Sequence, residues 1–293
     1  MAASHPLIVF GITGRMGQSL IRALREGSTF AQREGSTFAL RAAIASPASP
    51  RLGQECAAEG PPTGVMITAD AAAALKSAAS KRGADAMKYG AVAMDFSVGP
   101  AVAAHAQACA QAGVPLLVGA TGFDAAAQAE LERAANKIAV LIAPNTSVGV
   151  AVLGELVAQA AAALGESYDV EIAEAHHRTK RDAPSGTALK LGEAVARVRS
   201  RSLEEVAVYA RYGKDTPAAH GSIGFSVVRA GDIVGEHTVT FAGAGERLEI
   251  THRASDRMTF AQGALRAAAW LLGRPAGLYG MQDVLGVQKK HGQ

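Results

Sequence analysis

The densest group of side chains able to do chemistry lies between residues 174 and 187, EAHHRTKRDAPSGT. Five of the six residues from His176 to Arg181 can carry positive charge, a concentration that is hard to place in a core and suits an anionic, multiply charged carboxylate. Histidine exchanges protons near neutral pH, and a neighbouring lysine can donate hydrogen bonds or stabilise negative charge. The stretch then passes through Pro184, Ser185, Gly186 and Thr187 into an apolar-periodic helix. Ser185 or Thr187 can cap that helix while the nearby N–H groups receive a carboxylate. A solvated basic loop is one competing reading, and a metal site on His176 and His177 with Glu174 or Asp182 is another. Adjacent strand residues point to opposite faces, and neither a cysteine pair nor an H-E-x-x-H pattern accompanies the histidines, so proton transfer with anion binding is preferred.

The second chemical signal is LIVFGITGRMG at residues 7–17. Glycines at 11, 14 and 17 let backbone approach a pyrophosphate, and the following helix start offers N–H groups and positive dipole charge. The spacing is G-x-x-G-x-x-G, with Thr13 where the usual dinucleotide motif has its second glycine. About 20 residues on, once a tandem duplication is set aside, a ribose-binding acid is expected at the end of the second strand. Ala45 and Ser46 stand there instead. Without a carboxylate to repel a 2′-phosphate, NADPH is expected to serve at least as well as NADH, helped by Ser46, Arg15 or Arg51. Three further turns, at 95–97, 119–122 and 143–147, end predicted strands and suit a nicotinamide ring and its carboxamide; ordinary capped strand-to-helix turns are the alternative.

The elements that must hold these groups read as two kinds of text. Up to residue 147, short apolar runs at 7–12, 38–45, 91–96, 115–118 and 139–142 alternate with alanine-rich helical segments at 16–24, 102–112 and 124–135, the pattern of an α/β, Rossmann-type doubly wound parallel sheet. Thereafter a helix at 148–164, a strand at 170–175, a helix at 187–200 and strands at 222–229, 233–241 and 247–252 predict a second α+β domain on an open mixed sheet. A last helix at 259–272 packs back on the first domain in this reading. The expected division is a dinucleotide-binding domain, 1–147 plus 257–293, and a substrate-binding and oligomerisation domain, 148–256. REGSTFAQ at 25–32 repeats at once as REGSTFAL at 33–40, a tandem duplication that lengthens the turn after the first helix in this reading. The stretch 77–90 reads as a charged surface excursion, and His105 and His291 as structural or solvated.

Composition sets the outer limits. The 293 residues are 49% hydrophobic with a formal charge of +3, enough apolar material for a core and too near balance for a nucleic-acid or membrane-surface footprint. Two cysteines, Cys56 and Cys109, fit a reducing compartment. No cationic leader and no apolar stretch of about 18 residues is recognised. A cytoplasmic protein with no nucleic-acid and no membrane partner is the expectation.

Taken together, these motifs resemble the 4-hydroxy-tetrahydrodipicolinate reductase (dihydrodipicolinate reductase) family of the diaminopimelate route to lysine. The resemblance runs through GRMG at 14–17, DFS at 95–97, VGATGF at 118–123, APNTSVG at 143–149, EAHHRTKRDAPSGTA at 174–188, GF at 224–225, RAGDIVGEH at 229–237 and RMTF at 257–260. It implies a Rossmann-type first domain and a second domain that carries the substrate site and assembles a homotetramer through its sheets. It also implies that His176 and Lys180 handle protons and that His177, Ser185, Gly186 and Thr187 hold the carboxylates of a small cyclic dicarboxylate. Gly11, Ile12, Thr13, Gly14, Arg15, Met16, Gly119, Ala120, Thr121, Ala143, Pro144, Asn145 and Thr146 would line NADPH or NADH, and no metal is implied. The implied reaction removes water from the 4-hydroxy ring and delivers hydride to ring carbon four. The chain departs from the family pattern at Ala45-Ser46, Val98, Ala120 and Thr146, which bears on cofactor affinity. A non-catalytic nucleotide sensor and a metal-dependent hydrolase are the alternatives from other classes.

Overall fold

A computed structural model describes residues 4–27, 37–80 and 90–286. Residues 28–36 of the duplication, 81–89 of the charged excursion and His291 lie outside that set. By its contacts the chain divides into two compact units, residues 1–148 with 258–293, and residues 149–257.

The first unit holds a seven-stranded parallel sheet in the order β12-β6-β5-β4-β1-β2-β3. Its strands are β1 (His5–Phe10), β2 (Phe38–Ile44), β3 (Ile67–Thr68), β4 (Val92–Asp95), β5 (Leu116–Val118), β6 (Ala139–Ile142) and β12 (Gly277–Tyr279). Leu7, Ile8, Val9 and Phe10 are all fully buried, as a strand covered on both faces requires, and this is why β1 reads as a continuous apolar run. Strand order reverses at β1 and β4, so the turns after those two strands flank a topological switch point, the usual crevice of an open α/β sheet. β1 stops at Phe10, short of the expected residue 12, because Gly11 turns the backbone to φ +75°.

Helices Arg15–Glu26, Val102–Ala112, Ala125–Ala135 and Met258–Leu271 lie where the apolar periodicity predicts them. Asp124 caps the third by accepting a hydrogen bond from the Ala127 N–H at 2.8 Å. Met258–Leu271 packs on Arg15–Glu26 and is buried over most of its length. Elements absent from the sequence reading include, in this unit, the short edge strands β3 and β12 and the helices Ala71–Ser80 and Met281–Val284, and in the second unit the helix Leu203–Val206 and the strand Ala207–Val208. Two- and three-residue strands carry no alternation to detect, and AAAALKSAAS offers little contrast between faces.

The second unit holds a five-stranded mixed sheet in the order β11-β10-β7-β9-β8. Its strands are β7 (Asp169–His176), β8 (Ala207–Val208), β9 (Ile223–Arg229), β10 (Gly235–Gly243) and β11 (Glu246–Ala254). β10 runs antiparallel to β7 and β11, while β7, β9 and β8 are parallel. Helices Val148–Leu164 and Gly186–Val198 supply Leu153, Val157, Leu191 and Val195 to a core with Ile172, Phe225, Val239 and Phe241. One expectation needs correction. Val148–Ser167 spans 20 residues with an 18-residue window of mean hydropathy 1.7, long and apolar enough by length and composition to cross a membrane. Core packing accounts for the apolarity of one face, through Leu153, Val157 and Ala161, while Val152 and Leu156 on the helix remain exposed.

The fit of Met258–Leu271 against the turn after β6 depends on Gly263, because a Cβ there would overlap the backbone carbonyl of Thr146. Thr146 also donates its hydroxyl to the Phe260 carbonyl of the same helix at 2.7 Å. Gly263→Ala should therefore lower stability by about 1–3 kcal/mol, the usual cost of overpacking. An unchanged thermal midpoint would mean that the helix and the turn are not so closely apposed.

Candidate active site

In the second unit, β7 alternates so that Val170, Ile172, Glu174 and His176 share the face covered by helices. An i, i+2 spacing on a strand therefore places a carboxylate directly behind an imidazole. Glu174 Oε2 lies 2.6 Å from His176 Nδ1. The same carboxylate receives Arg229 Nη1 on Oε2 and Nη2 on Oε1, each at 2.8 Å, and the Ser185 N–H on Oε1 at 2.9 Å. Glu174 is buried, and burial raises its pKa, but these donors more than compensate and hold it below the usual carboxylate range. Burial pushes the His176 pKa down, and Glu174 opposes that shift.

His177, next along the chain, points its Nδ1 to the Thr179 hydroxyl at 2.9 Å. The two histidines thus have different partners, as opposite faces of a strand end require. Among the described residues no three His, Cys, Asp or Glu side chains come together as a metal site. Lys180 Nζ donates to both oxygens of Asp182, at 2.8 and 2.9 Å. Burial raises the Asp182 pKa, but the Lys180 ammonium outweighs it and the carboxyl stays below its ordinary value.

Ser185 caps Gly186–Val198, its hydroxyl accepting from the Ala188 N–H. That hydroxyl also lies 3.0 Å from His237 Nε2, and Ser185 is only 2% exposed. Its side chain is therefore spent inside the protein, whereas Gly186 is exposed and Thr187 half-buried at the helix start. His237 is buried edge-on to His176, with ring centroids 5.1 Å apart. Burial pushes its pKa down to about 4, with the nearby His176 adding to the effect, so the ring is neutral at working pH. His237 Nδ1 has no partner among the described residues. The economical tautomer donates Nε2–H to Ser185 and leaves Nδ1 a bare acceptor, because an orphaned buried N–H is the rarer arrangement. Neither Arg229 nor His237 stood out in the sequence beyond the family motif. Register is what could have found them: β7 pairs Glu174 with His237 and His176 with Arg229.

The first unit builds a different kind of site. Gly11, after β1, has no room for a side chain: a Cβ would lie 2.5 Å from the Phe96 carbonyl oxygen. A Cβ on Gly119 would overlap the Phe96 ring. The carbonyl of Asp95 accepts the N–H groups of Gly119 and Ala120, and its buried carboxylate accepts from Ser97 N and pairs with His105 Nδ1, both at 2.8 Å. Asp95 thus fastens the second and third crevice turns together. Gly14 is the N-cap of Arg15–Glu26, with no side-chain cap and no acid in the first turn, so the helix start is open to an anion.

Of the residues expected along the cofactor, Thr13, Gly14, Arg15, Thr121 and Pro144 are exposed, and Gly11, Met16, Gly119 and Asn145 are half-buried. Ile12, Ala120, Ala143 and Thr146 are buried, leaving them little but backbone to offer. At the end of β2, Ala45 is buried and Ser46 exposed, with no carboxylate on either. Arg51 is committed elsewhere, its Nη2 donating to the carbonyls of Glu55 and Cys56 at 2.8 and 3.3 Å. The glycine cradle and open helix start fit a dinucleotide.

A glycine-turned parallel sheet with a switch-point crevice, joined to a mixed-sheet unit bearing buried imidazoles and an ammonium, defines a Rossmann-type, pyridine-nucleotide-dependent oxidoreductase. Family models described as "Dihydrodipicolinate reductase, N-terminus" and "Dihydrodipicolinate reductase, C-terminus" match residues 5–146 and 149–285. The chain belongs to that family, the 4-hydroxy-tetrahydrodipicolinate reductases of lysine and diaminopimelate biosynthesis. It is 49% identical over 281 residues to the 4-hydroxy-tetrahydrodipicolinate reductase of Thiobacillus denitrificans, covering 96% of this chain and 98% of that one. With the Nitrosomonas europaea enzyme of the same name it shares 45% over 283 residues, at 96% and 98% coverage. A dipicolinate-bound dihydrodipicolinate reductase from Paenisporosarcina sp. TG-14 has the same fold, with a TM-score of 0.69 at 21% identity over 96% of this chain and 99% of that one.

The buried histidine at 237 predicts a pH effect on stability. Its folded pKa of about 4 lies below the ordinary 6.5, so the unfolded chain binds the proton first as pH falls. Stability should be complete above about pH 6.5 and decline towards pH 4, by up to about 3 kcal/mol from this group. Glu174, held below its ordinary value, adds to the loss at the acidic end. Denaturant titrations showing no loss of stability from pH 7 to 4.5 would contradict the buried, neutral assignment.

Proposed function

We propose that the second unit holds the cyclic dicarboxylate and manages the protons of its reduction, while the first unit holds the nicotinamide cofactor. The observation that carries this reading is the His176–Glu174 pair, which directs one imidazole nitrogen inward and leaves the other for exchange. When bound, the reduced nicotinamide supplies a hydride. The Gly186 and Thr187 N–H groups at the helix start, with His177, receive the substrate carboxylates, and Ser185 supports them by capping the helix. Lys180 offsets negative charge beside the ring and donates a proton. His176 holds the second proton at Nε2, where it can serve departure of the 4-hydroxyl as water or protonation of the reduced ring. Gly11 to Met16, Gly119 to Thr121 and Ala143 to Thr146 line the cofactor, several of them through backbone alone.

His176→Gln and Lys180→Ala should each lower kcat by about 100-fold or more while the fold persists, the scale expected of acid–base groups. Full turnover in both variants would overturn the assignment. The absence of an acid at Ala45-Ser46 supports use of NADPH at least as effectively as NADH, with Ser46 and Arg15 exposed and able to meet a 2′-phosphate. Measured kcat/KM values for the two cofactors test this, and a strong preference for NADH would refute it. The buried free cysteines at 56 and 109 support a reducing, cytoplasmic setting. On the face of the second sheet opposite its helices, exposed Ala173 and Val228 support a homotetramer built through that surface. Light scattering should give four times the 29.9 kDa chain mass, and a monomer would exclude the assembly.

A further inference from the structure

Glu174 and Arg229 are the most heavily committed charged pair in the described part of the second unit, and their hydrogen-bond capacities decide what they can do. An ionised carboxylate has about four lone-pair positions and no donor. Glu174 fills all four, with His176 Nδ1 and Arg229 Nη1 on one oxygen and Arg229 Nη2 and Ser185 N on the other. Arg229 is equally spent at its forked end: Nη1 also donates to the Val228 carbonyl and Nη2 to the Asp182 carbonyl. Neither group has capacity left at those atoms for a substrate oxygen. Three of these contacts, to Ser185, Asp182 and His176, lead instead to something that has a task in the function proposed above. Ser185 N belongs to the cap of Gly186–Val198, whose first turn carries Gly186 and Thr187. The Asp182 carbonyl belongs to the residue whose carboxylate holds Lys180 Nζ. His176 is the proton-handling imidazole, and its Nε2 lies beside Gly235, where an added Cβ would stand 3.1 Å away.

We propose that Glu174, clamped by Arg229, is a positioning residue that sets three things from one buried carboxylate: the Nδ1–H tautomer of His176, the carboxylate-receiving start of Gly186–Val198, and the loop presenting Lys180. The carboxylate accepts only, so His176 must carry hydrogen on Nδ1 and present Nε2, bare or protonated according to the stage of the reaction. Gly235, having no Cβ, sets no side chain of its own against that nitrogen. The inference rests on the proposed role of His176, and the two can fail separately.

The first test is on the unaltered protein. Nitrogen-15 shifts of the His176 ring should report the Nδ1–H tautomer when the ring is neutral, and an Nε2–H tautomer overturns the proposal whatever any variant does. The second test is Glu174→Gln. An amide turns one acceptor into a donor facing two donors, so kcat should fall by about 100-fold. KM for the cyclic dicarboxylate should rise several-fold as the helix start loosens, and the imidazole limb of the pH–rate profile should move to lower pH. Glu174→Asp keeps the charge and should return that limb towards its original position. A merely structural role would lower the amount of folded enzyme and leave the pH profile and KM of the surviving fraction unchanged, and that result refutes the proposal. If His176→Gln is inactive while Glu174→Gln has the original rate and profile, the positioning role fails and the function stands. If His176→Gln is fully active, the function assigned to the imidazole fails first.

Discussion

A buried carboxylate is tolerated only when its charge and all its lone pairs are met, and the second unit is organised around meeting those of Glu174. Removing such a group from water costs several kcal/mol even after relaxation, so isolated burial would simply neutralise it. Here a bidentate guanidinium, a backbone N–H and an imidazole converge on it, brought by two strands and the helix cap. The ion pair is a poor source of net stability by itself, since an apolar core of similar volume would serve as well. What it supplies is a single arrangement: three pieces of chain, β7, β9 and the helix cap, agree on one position because any other leaves a charge unpaired. The neutral His237 beside it fits the same logic, since a second buried cation 5.1 Å from His176 would add to the Arg229 charge already present.

The first unit solves a related problem with backbone. Asp95 receives two N–H groups on its carbonyl and two further partners on its carboxylate, locking the ends of β4 and β5 to each other. His105, stacked on Phe10 with ring centroids 4.1 Å apart, completes that pair from the helix above. The glycines at 11 and 119 are then required by proximity to Phe96 as much as by any ligand. The crevice is consequently made of turns packed to contact, with room for a ligand only where no Cβ intrudes.

Much of this was legible beforehand. Sequence pattern places the helix 102–112 and the strand 139–142 to the residue, because β-rich runs and alanine-rich amphipathic segments differ in period and composition. The expected candidates fared unevenly. His176, Lys180 and the Ser185 cap lie in one constellation, yet Ser185 faces inward, Thr146 is spent on Phe260, and Arg51 is held by loop carbonyls. Glu174 is visible in the motif, where its type suggests a possible metal ligand, and His105, expected to be structural or solvated, is structural, pairing with the buried Asp95. A residue's type is visible in sequence, whereas its hydrogen-bond partners at separations of 52 or 55 residues are not.

The amino-acid order alone determined the two kinds of text, the glycine turn after the first strand, and the concentration of cationic and proton-exchanging groups at 176–181. These depend on local periodicity and on chemistry carried by neighbouring residues. Only the tertiary structure decided which of those groups are spent internally and which remain to act. That decision depends on strand register, which sets Glu174 against His237 and His176 against Arg229, and on burial, which makes every unpaired polar atom costly enough to select its partner.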